Sequence, residues 1–580
     1  MFAASRYQLP PALWGWGRAA ALIAAWGLLV VVALRTRPLL PIDETRYLSV
    51  AWDMWRTNSF LVPMLNGDAY SHKPPLLFWL MQAGWKVFGV SEGWARLVAP
   101  LFGLASLFAA AVLARTLWPL ARQRAHVVPW LLLGCLSWAL FTTVTMFDML
   151  MACFAALAVL GVVWSTRAAS IGSFAAGWIL TGLCLGLGAL AKGPVILVYV
   201  LPAAVLAPLW TRTRRGWVWH YGGLLVALAL GAGIGLGWAL PAAEAGGAGY
   251  ARAILWGQTA GRIAESFAHE RPFWWYVALL PVLLFPWIVW PPAWRGVATA
   301  VRGADEGVRL ALVWLVGGVL ILSLVSGKQP HYLLPLFPAV ALLIAAGLDD
   351  VHFGRWSAVL PAALVTLLGL ALAVAAYWLR NVRGAAELLD LADWGINIPV
   401  WFGLGVAAVG IVTLLVRPKS VYAGVVTLAA QSIAVVLVVH LLAFRPIAFA
   451  YDIEAFAKLV KQYNLQNMPI AMLDEYHGQF GFLGRLERRM PVVPTLTALQ
   501  YLSANPRHRL IMTMEELPPR WMEADFVQLY RGRVLAIVNE GTYEAYLTIN
   551  RRRANGQLIE GRGRAPAAPA ATVRPAGPPG

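Results

Sequence analysis

The sequence predicts a polytopic α-helical membrane protein of about 13 transmembrane helices carrying a C-terminal soluble α/β domain. Three observations predict it. Hydrophobic residues make up 60% of 580 and charged ones 13%, a balance no single water-soluble globule has. Thirteen apolar runs approach the roughly 20 residues that a bilayer crossing needs. Beyond Phe444 the pattern changes to short β-like runs and one amphipathic helix.

The runs are 13–35, 95–117, 127–145, 148–166, 172–190, 194–210, 217–240, 273–293, 308–325, 333–348, 357–379, 399–416 and 421–443. The first has no small-residue cleavage site ahead of the next polar stretch and reads as a signal anchor. Short cytoplasmic loops are rich in Lys and Arg, which tests the alternation independently. With Arg6 and Arg18 inside, every inside loop is basic: Arg115, Arg122 and Arg124; Arg167; Arg212, Arg214 and Arg215; Arg295, Arg302 and Arg309; Arg355; Arg417 and Lys419. The opposite loops, 36–93, 241–272 and 380–398, are longer and carry both signs. Residues 1–444 therefore form the membrane domain, and an odd number of crossings leaves 445–555 outside.

The formal charge of +18 encodes this topology, so no nucleic-acid partner is expected. The 29 Trp residues suit interfacial belts. Cys135, Cys153 and Cys184 each lie in an apolar run without a neighbour at metal-ligand spacing, which argues against disulfides and a cysteine zinc site. In the outer domain, Asp452 is placed to cap a helix over 453–463. Strands are expected at 470–473, 510–513, 526–530 and 534–538, the last two joined as a hairpin by Arg531-Gly532-Arg533. The Gly-, Arg-, Pro- and Ala-rich residues 556–580 read as a disordered tail.

Polar residues gather near helix ends on the outer side. Asp43-Glu44-Thr45-Arg46-Tyr47 stands where the first helix leaves the bilayer, a place where charge is usually functional. A carboxylate beside a guanidinium stays ionised and suits a base or metal ligand; a solvated helix start capped by Asp43 is the plainer reading. Tyr70-Ser71-His72-Lys73-Pro74-Pro75 sets an ammonium before a proline-initiated helix whose open N–H groups suit a phosphate. Lys73 snorkelling to the headgroups is the alternative, and the same choice applies to Lys192-Gly193-Pro194. Asp148, after Thr143-Val144-Thr145, is a second site carboxylate or a helix cap. In Ser326-Gly327-Lys328-Gln329-Pro330-His331-Tyr332, Lys328 and Tyr332 are further donors to an anion or parts of a polar turn. The loop after Pro241 holds Arg252, Arg262, Glu265, His269, Glu270 and Arg271. His72 and His269 form a pair able to hold a divalent, zinc-like ion, against the reading of two solvated rings. Carboxylates beside an array of Lys, Arg and Tyr suit a lipid phosphate reached from the membrane.

In their order and on these loops, Asp43 to Tyr47, Lys73-Pro74-Pro75, Lys192-Gly193 and Ser326 to Tyr332 resemble the bacterial lipid A aminoarabinose transferases. These belong to the polyprenyl-phosphate-dependent GT-C glycosyltransferases, with the protein O-mannosyltransferases. The likeness covers roughly residues 10–350. It implies transfer of 4-amino-4-deoxy-L-arabinose from undecaprenyl phosphate to a lipid A phosphate at the periplasmic face of the bacterial inner membrane, by a monomer among membrane lipids. It implies that Asp43, with Glu44 beside it, and Asp148 are the catalytic acidic residues. Arg46, Tyr47, Tyr70, Lys73, Lys192, Arg262, Lys328 and Tyr332 then surround the donor. Relatives often carry Glu where this chain has His72, which bears on any metal ligand there. A protein or other glycan acceptor is the rival within the class. A lipid-linked sugar flippase would instead place ionisable groups at mid-membrane and matching broken helices in two halves.

Overall fold

The computed structural model describes residues 16–261, 271–351, 354, 356–381, 399–444, 447–515 and 524–554. Arg262, His269 and the tail 556–580 lie outside them, as does nearly all of the loop 380–398. Among the described residues, nine helices are long and apolar enough to cross a membrane, and each coincides with an expected run. The remaining four expected crossings are helical but short or broken. Arg122–Leu133 and Leu136–Phe141 split at Gly134, and Ile196–Val205 gives way to Ala207–Trp210. Trp275–Leu283 and Pro291–Gly303 are separated by a stretch containing Pro286, which has no N–H to continue a helix. Val400–Leu415 has 16 residues.

Bonds at the two ends of the bundle show that broken segments still traverse it. At one end Arg124 meets Asp349 at 2.7 Å and Asp305 at 3.4 Å, Arg167 meets Glu306 at 2.9 Å, and the Thr211 hydroxyl donates to Glu306 at 2.6 Å. At the other end Arg37 donates to the Thr143 carbonyl at 2.9 Å and Lys192 meets Asp148 at 2.7 Å. The segment from Arg124 to Thr143 therefore runs end to end, and so does that from Lys192 to Thr211. Val400–Leu415 lies antiparallel on Val359–Asn381 through small residues: a Cβ on Gly369 would sit 2.2 Å from the Ala407 nitrogen, and one on Gly403 2.2 Å from that of Ala373.

One expected loop is shorter than the sequence suggested. The helix from Trp217 does not stop at residue 240 but continues to Arg252, kinked at Gly247 with φ +79°, and passes into a π-helical turn, Ala253–Gly261. Pro241 is absorbed within the helix, and the Ala- and Gly-rich stretch after it is helical on both sides of the break at Gly247.

The 36–93 segment forms a helix, Asp43–Thr57, a two-stranded hairpin, and a second helix, Leu76–Phe88, that begins directly after Pro74-Pro75. The hairpin pairs β1 (Met64–Leu65) with β2 (Asp68–Ala69). Its turn, Asn66-Gly67, has φ +58° and +83°, the left-handed values a two-residue connection needs. The outer domain holds β3 (Ile470–Leu473), β4 (Val492–Val493), β5 (Arg509–Met514), β6 (Phe526–Tyr530) and β7 (Arg533–Val538), ordered β4-β3-β5-β7-β6. The four expected strands are present and β6–β7 is the expected hairpin, with Arg531 and Gly532 at φ +54° and +75°. β4 has two residues, too few for an alternation to show in sequence. The expected helix runs Glu454–Leu465, and the Asp452 carboxylate accepts from the Glu454 N–H at 2.9 Å. Its buried Phe456, Ala457 and Val460 pack with Ile470, Ile511 and Ile537.

Gly403→Leu is expected to force the helices Val359–Asn381 and Val400–Leu415 apart and cost about 1–3 kcal/mol. A lowered unfolding midpoint in detergent is the measurement, and an unchanged midpoint contradicts the packing.

Candidate active site

The chain enters the site through an ion pair. Arg37, 2% exposed, and Glu44, 1% exposed, meet with both guanidinium nitrogens on the two carboxylate oxygens, the second contact at 3.0 Å. Glu44 also accepts from the Leu40 N–H at 2.9 Å and, across the fold, from the Thr145 N–H at 2.7 Å. Arg37 passes its carbonyl to Arg96 at 2.9 Å. Burial alone would raise the Glu44 carboxyl. The Arg37 charge and hydrogen bond, with Arg96 and the Thr145 N–H, overcome this and hold it at about 2. Every oxygen of Glu44 is thus engaged, and its geometry is that of a clamp positioning Asp43 on one side and Asp148 on the other.

Neither aspartate caps its helix. The helices at Asp43 and Asp148 have Ile42 and Phe147 at their caps and no side-chain cap hydrogen bond. Asp43 is exposed and accepts weakly from the Tyr47 hydroxyl at 3.4 Å. Asp148 is 2% exposed; Lys192 holds its Oδ1 at 2.7 Å, so Lys192 is engaged rather than snorkelling. Lys192 also lies 4.4 Å over the Tyr332 ring, a cation–π contact. His331 brings Nε2 to 3.9 Å from Asp148 Oδ2. Three stretches of chain, carrying Asp148, Lys192 and His331 with Tyr332, thus meet at one point.

Aromatic rings wall this cluster. Tyr47 meets Phe147 edge-on at 5.0 Å and Phe78 at 6.4 Å; Tyr70 lies 6.3 Å from Phe78 and 5.2 Å from the His72 ring. Burial, and then the charge of Asp43, push the Tyr47 phenol well above its usual range, so Tyr47 acts as a hydrogen-bonding hydroxyl and not as a base. Arg46 is half-buried beside them.

Lys328 has a different place. It is 3% exposed and donates to the carbonyls of Arg271, at 3.0 Å, and Val325, at 2.5 Å, so two of its three donors bind backbone. It anchors the turn that presents His331 and Tyr332. Among the described residues no group of three or more His, Cys, Asp or Glu side chains could hold a metal ion, and His72 is the one member of the expected pair described. His331 was missing from the residues inferred from sequence, although it adjoins Tyr332; only the fold shows it turned toward Asp148.

The outer domain grips the Asp43 helix from the far side. Ser49, 2% exposed, donates to the Gly478 carbonyl at 2.5 Å and accepts from the Phe482 N–H at 3.0 Å, and Trp52 donates to the Leu486 carbonyl at 2.9 Å. Asn66 in the β1–β2 turn exchanges two hydrogen bonds with the Met490 backbone, at 2.9 and 2.7 Å.

Glu44 contributes stability through a depressed carboxyl. That contribution is whole above pH 4.5, the free value, and is lost as pH falls from there to about 2. Glu44→Gln leaves a buried guanidinium without its counter-charge and is expected to cost about 3–5 kcal/mol. Unfolding midpoints across that acidic window should fall more steeply for the unsubstituted chain than for the variant.

Residues 72–234 match the family Dolichyl-phosphate-mannose-protein mannosyltransferase. The chain is 32% identical over 401 residues to the undecaprenyl phosphate-alpha-4-amino-4-deoxy-L-arabinose arabinosyl transferase of Pseudomonas aeruginosa strain UCBPP-PA14, covering 67% of this chain and 70% of that one. It is 30% identical over 403 residues to the protein of the same name from Edwardsiella ictaluri, covering 67% of each. In fold it is similar to crystal structures of ArnT from Cupriavidus metallidurans. The apo state gives a TM-score of 0.72 at 18% identity, covering 91% of this chain and 98% of that one. The state bound to undecaprenyl phosphate gives 0.71 at 18% identity, covering 90% and 98%. With a bundle, a polar mouth and an outer domain all in place, this chain belongs to the family of undecaprenyl phosphate-alpha-4-amino-4-deoxy-L-arabinose arabinosyl transferases.

Proposed function

We infer that this chain is a glycosyltransferase that moves 4-amino-4-deoxy-L-arabinose from undecaprenyl phosphate to a phosphate of lipid A, with its site and outer domain at the periplasmic face of the inner membrane. The observation that carries the reading is the Lys192–Asp148 pair, with Lys192 over the Tyr332 ring and His331 3.9 Å from the same carboxylate. It fixes an ammonium group at the polar end of a membrane bundle, which suits a phosphate carried on a lipid.

In the transfer, an oxygen of the acceptor phosphate forms a bond to the anomeric carbon as the bond from that carbon to the donor phosphate oxygen breaks. The bonding electrons leave with undecaprenyl phosphate. The acceptor oxygen is already anionic, so no protein base is required to create the nucleophile. What rises in the transition state is charge on the departing phosphate, and fixed Lys192, Lys73 and Arg46 oppose it in a site partly closed to water. Tyr47 and Tyr70 add hydroxyl groups at the wall. Asp43, exposed at the mouth, orients the approaching groups, while Glu44 acts only by positioning.

Lys192→Ala and Asp43→Asn are each expected to lower transfer about 100- to 1,000-fold in vesicles with labelled donor. Wild-type rates in both would end the reading. Lipid A mass spectrometry, with and without the gene in a polymyxin-sensitive host, should show the added aminopentose only when the gene is present. Label appearing on protein instead would favour the acceptor suggested by the mannosyltransferase match over residues 72–234.

A further inference from the structure

We propose that Asp148 Oδ2 and His331 Nε2 together form the recognition point for the amino group of the transferred sugar, an inference that rests on the donor assigned above. The Asp148 carboxylate is divided. Lys192 takes Oδ1, while Oδ2 is buried and has no hydrogen-bond partner among the described residues. A buried carboxylate oxygen in that state is costly unless a ligand supplies a donor.

The gap beside it has the right size. His331 Nε2 stands 3.9 Å from Oδ2, too far for a direct hydrogen bond. A nitrogen placed over the gap reaches both atoms at about 2.9 Å. An ammonium has donors for each: the carboxylate accepts one, and Nε2 of an imidazole protonated on Nδ1 accepts another. The Phe141 and Tyr332 rings, 5.8 and 4.8 Å from the imidazole, hold its plane.

The other carboxylates serve this purpose less well. Glu44 has both oxygens occupied, and Asp43 is exposed, where water competes.

The test compares undecaprenyl phosphate carrying 4-amino-4-deoxy-L-arabinose with the same lipid carrying L-arabinose. The unsubstituted protein should favour the amino donor. His331→Leu should cut that preference about 10- to 100-fold, mainly through KM. His331→Gln, which retains an acceptor oxygen, should recover part of it. Retained binding of sugar-free undecaprenyl phosphate reports that each variant is folded, and if His331→Leu fails that check the Gln variant and Asp148→Asn carry the comparison. A preference unchanged in the folded variants overturns the assignment. Transfer from neither donor by the unsubstituted protein overturns the proposed function instead, and this inference with it.

Discussion

The site depends on the buried fork between Arg37 and Glu44. Placing two charges in a low-dielectric environment is unfavourable unless their remaining valences are met, and here they are. Glu44 takes N–H groups from Leu40 and Thr145, and Arg37 donates to the Thr143 carbonyl. The pair therefore joins the end of the first crossing to the backbone just before Asp148. Asp43 and Asp148 are each within a turn of a residue in this network, so their separation is set by it and not by the flexibility of a loop.

Much of this was legible in the sequence, for identifiable reasons. Apolar runs located the nine long helices and the four short or broken ones alike, Val400–Leu415 among them, and loop charge supported their alternation. Pro74-Pro75 announced the start of the Leu76 helix, and Arg531-Gly532 announced the β6–β7 hairpin. Asn66-Gly67 is an equally clear hairpin signal between β1 and β2, although its strands of two residues each are too short to show an alternation. What sequence could not supply was partnership. Glu44 and Asp43 are adjacent carboxylates with no local feature to tell clamp from exposed acid; the difference comes from Thr145, 101 positions away. Lys328 resembled a phosphate ligand because its attachment to the Arg271 carbonyl spans 57 positions.

The broken crossings and the polar cluster have a common physical origin. A continuous helix satisfies its own backbone and presents only side chains, whereas a segment that leaves the helical path near the bilayer must find other partners for its N–H and C=O groups. Between Phe141 and Asp148 the chain does leave that path, and the groups it frees at Thr143 and Thr145 are those that Arg37 and Glu44 bind. The same interruption turns Asp148 toward Lys192 at a point where the neighbouring helix ends. The Arg37–Glu44 pair is thus what permits irregular backbone at this depth, and the irregular backbone is what allows Asp148 to face Lys192.

The outer domain extends this argument to the other side of the Asp43 helix. Glu44 holds its first turn from within the bundle, while Ser49 and Trp52, in the next two turns, are held by backbone groups of residues 478–486. Trp85 stacks on Phe482 at 5.5 Å, which ties the Leu76 helix to the same loop. A short helix is marginal alone, and its stability comes from packing. Fixed along both faces, the Asp43 helix keeps Asp43, Arg46 and Tyr47 at set positions. The seam therefore makes the outer domain part of the scaffold that holds Asp43, Arg46 and Tyr47, whose positions are settled by contacts on either side.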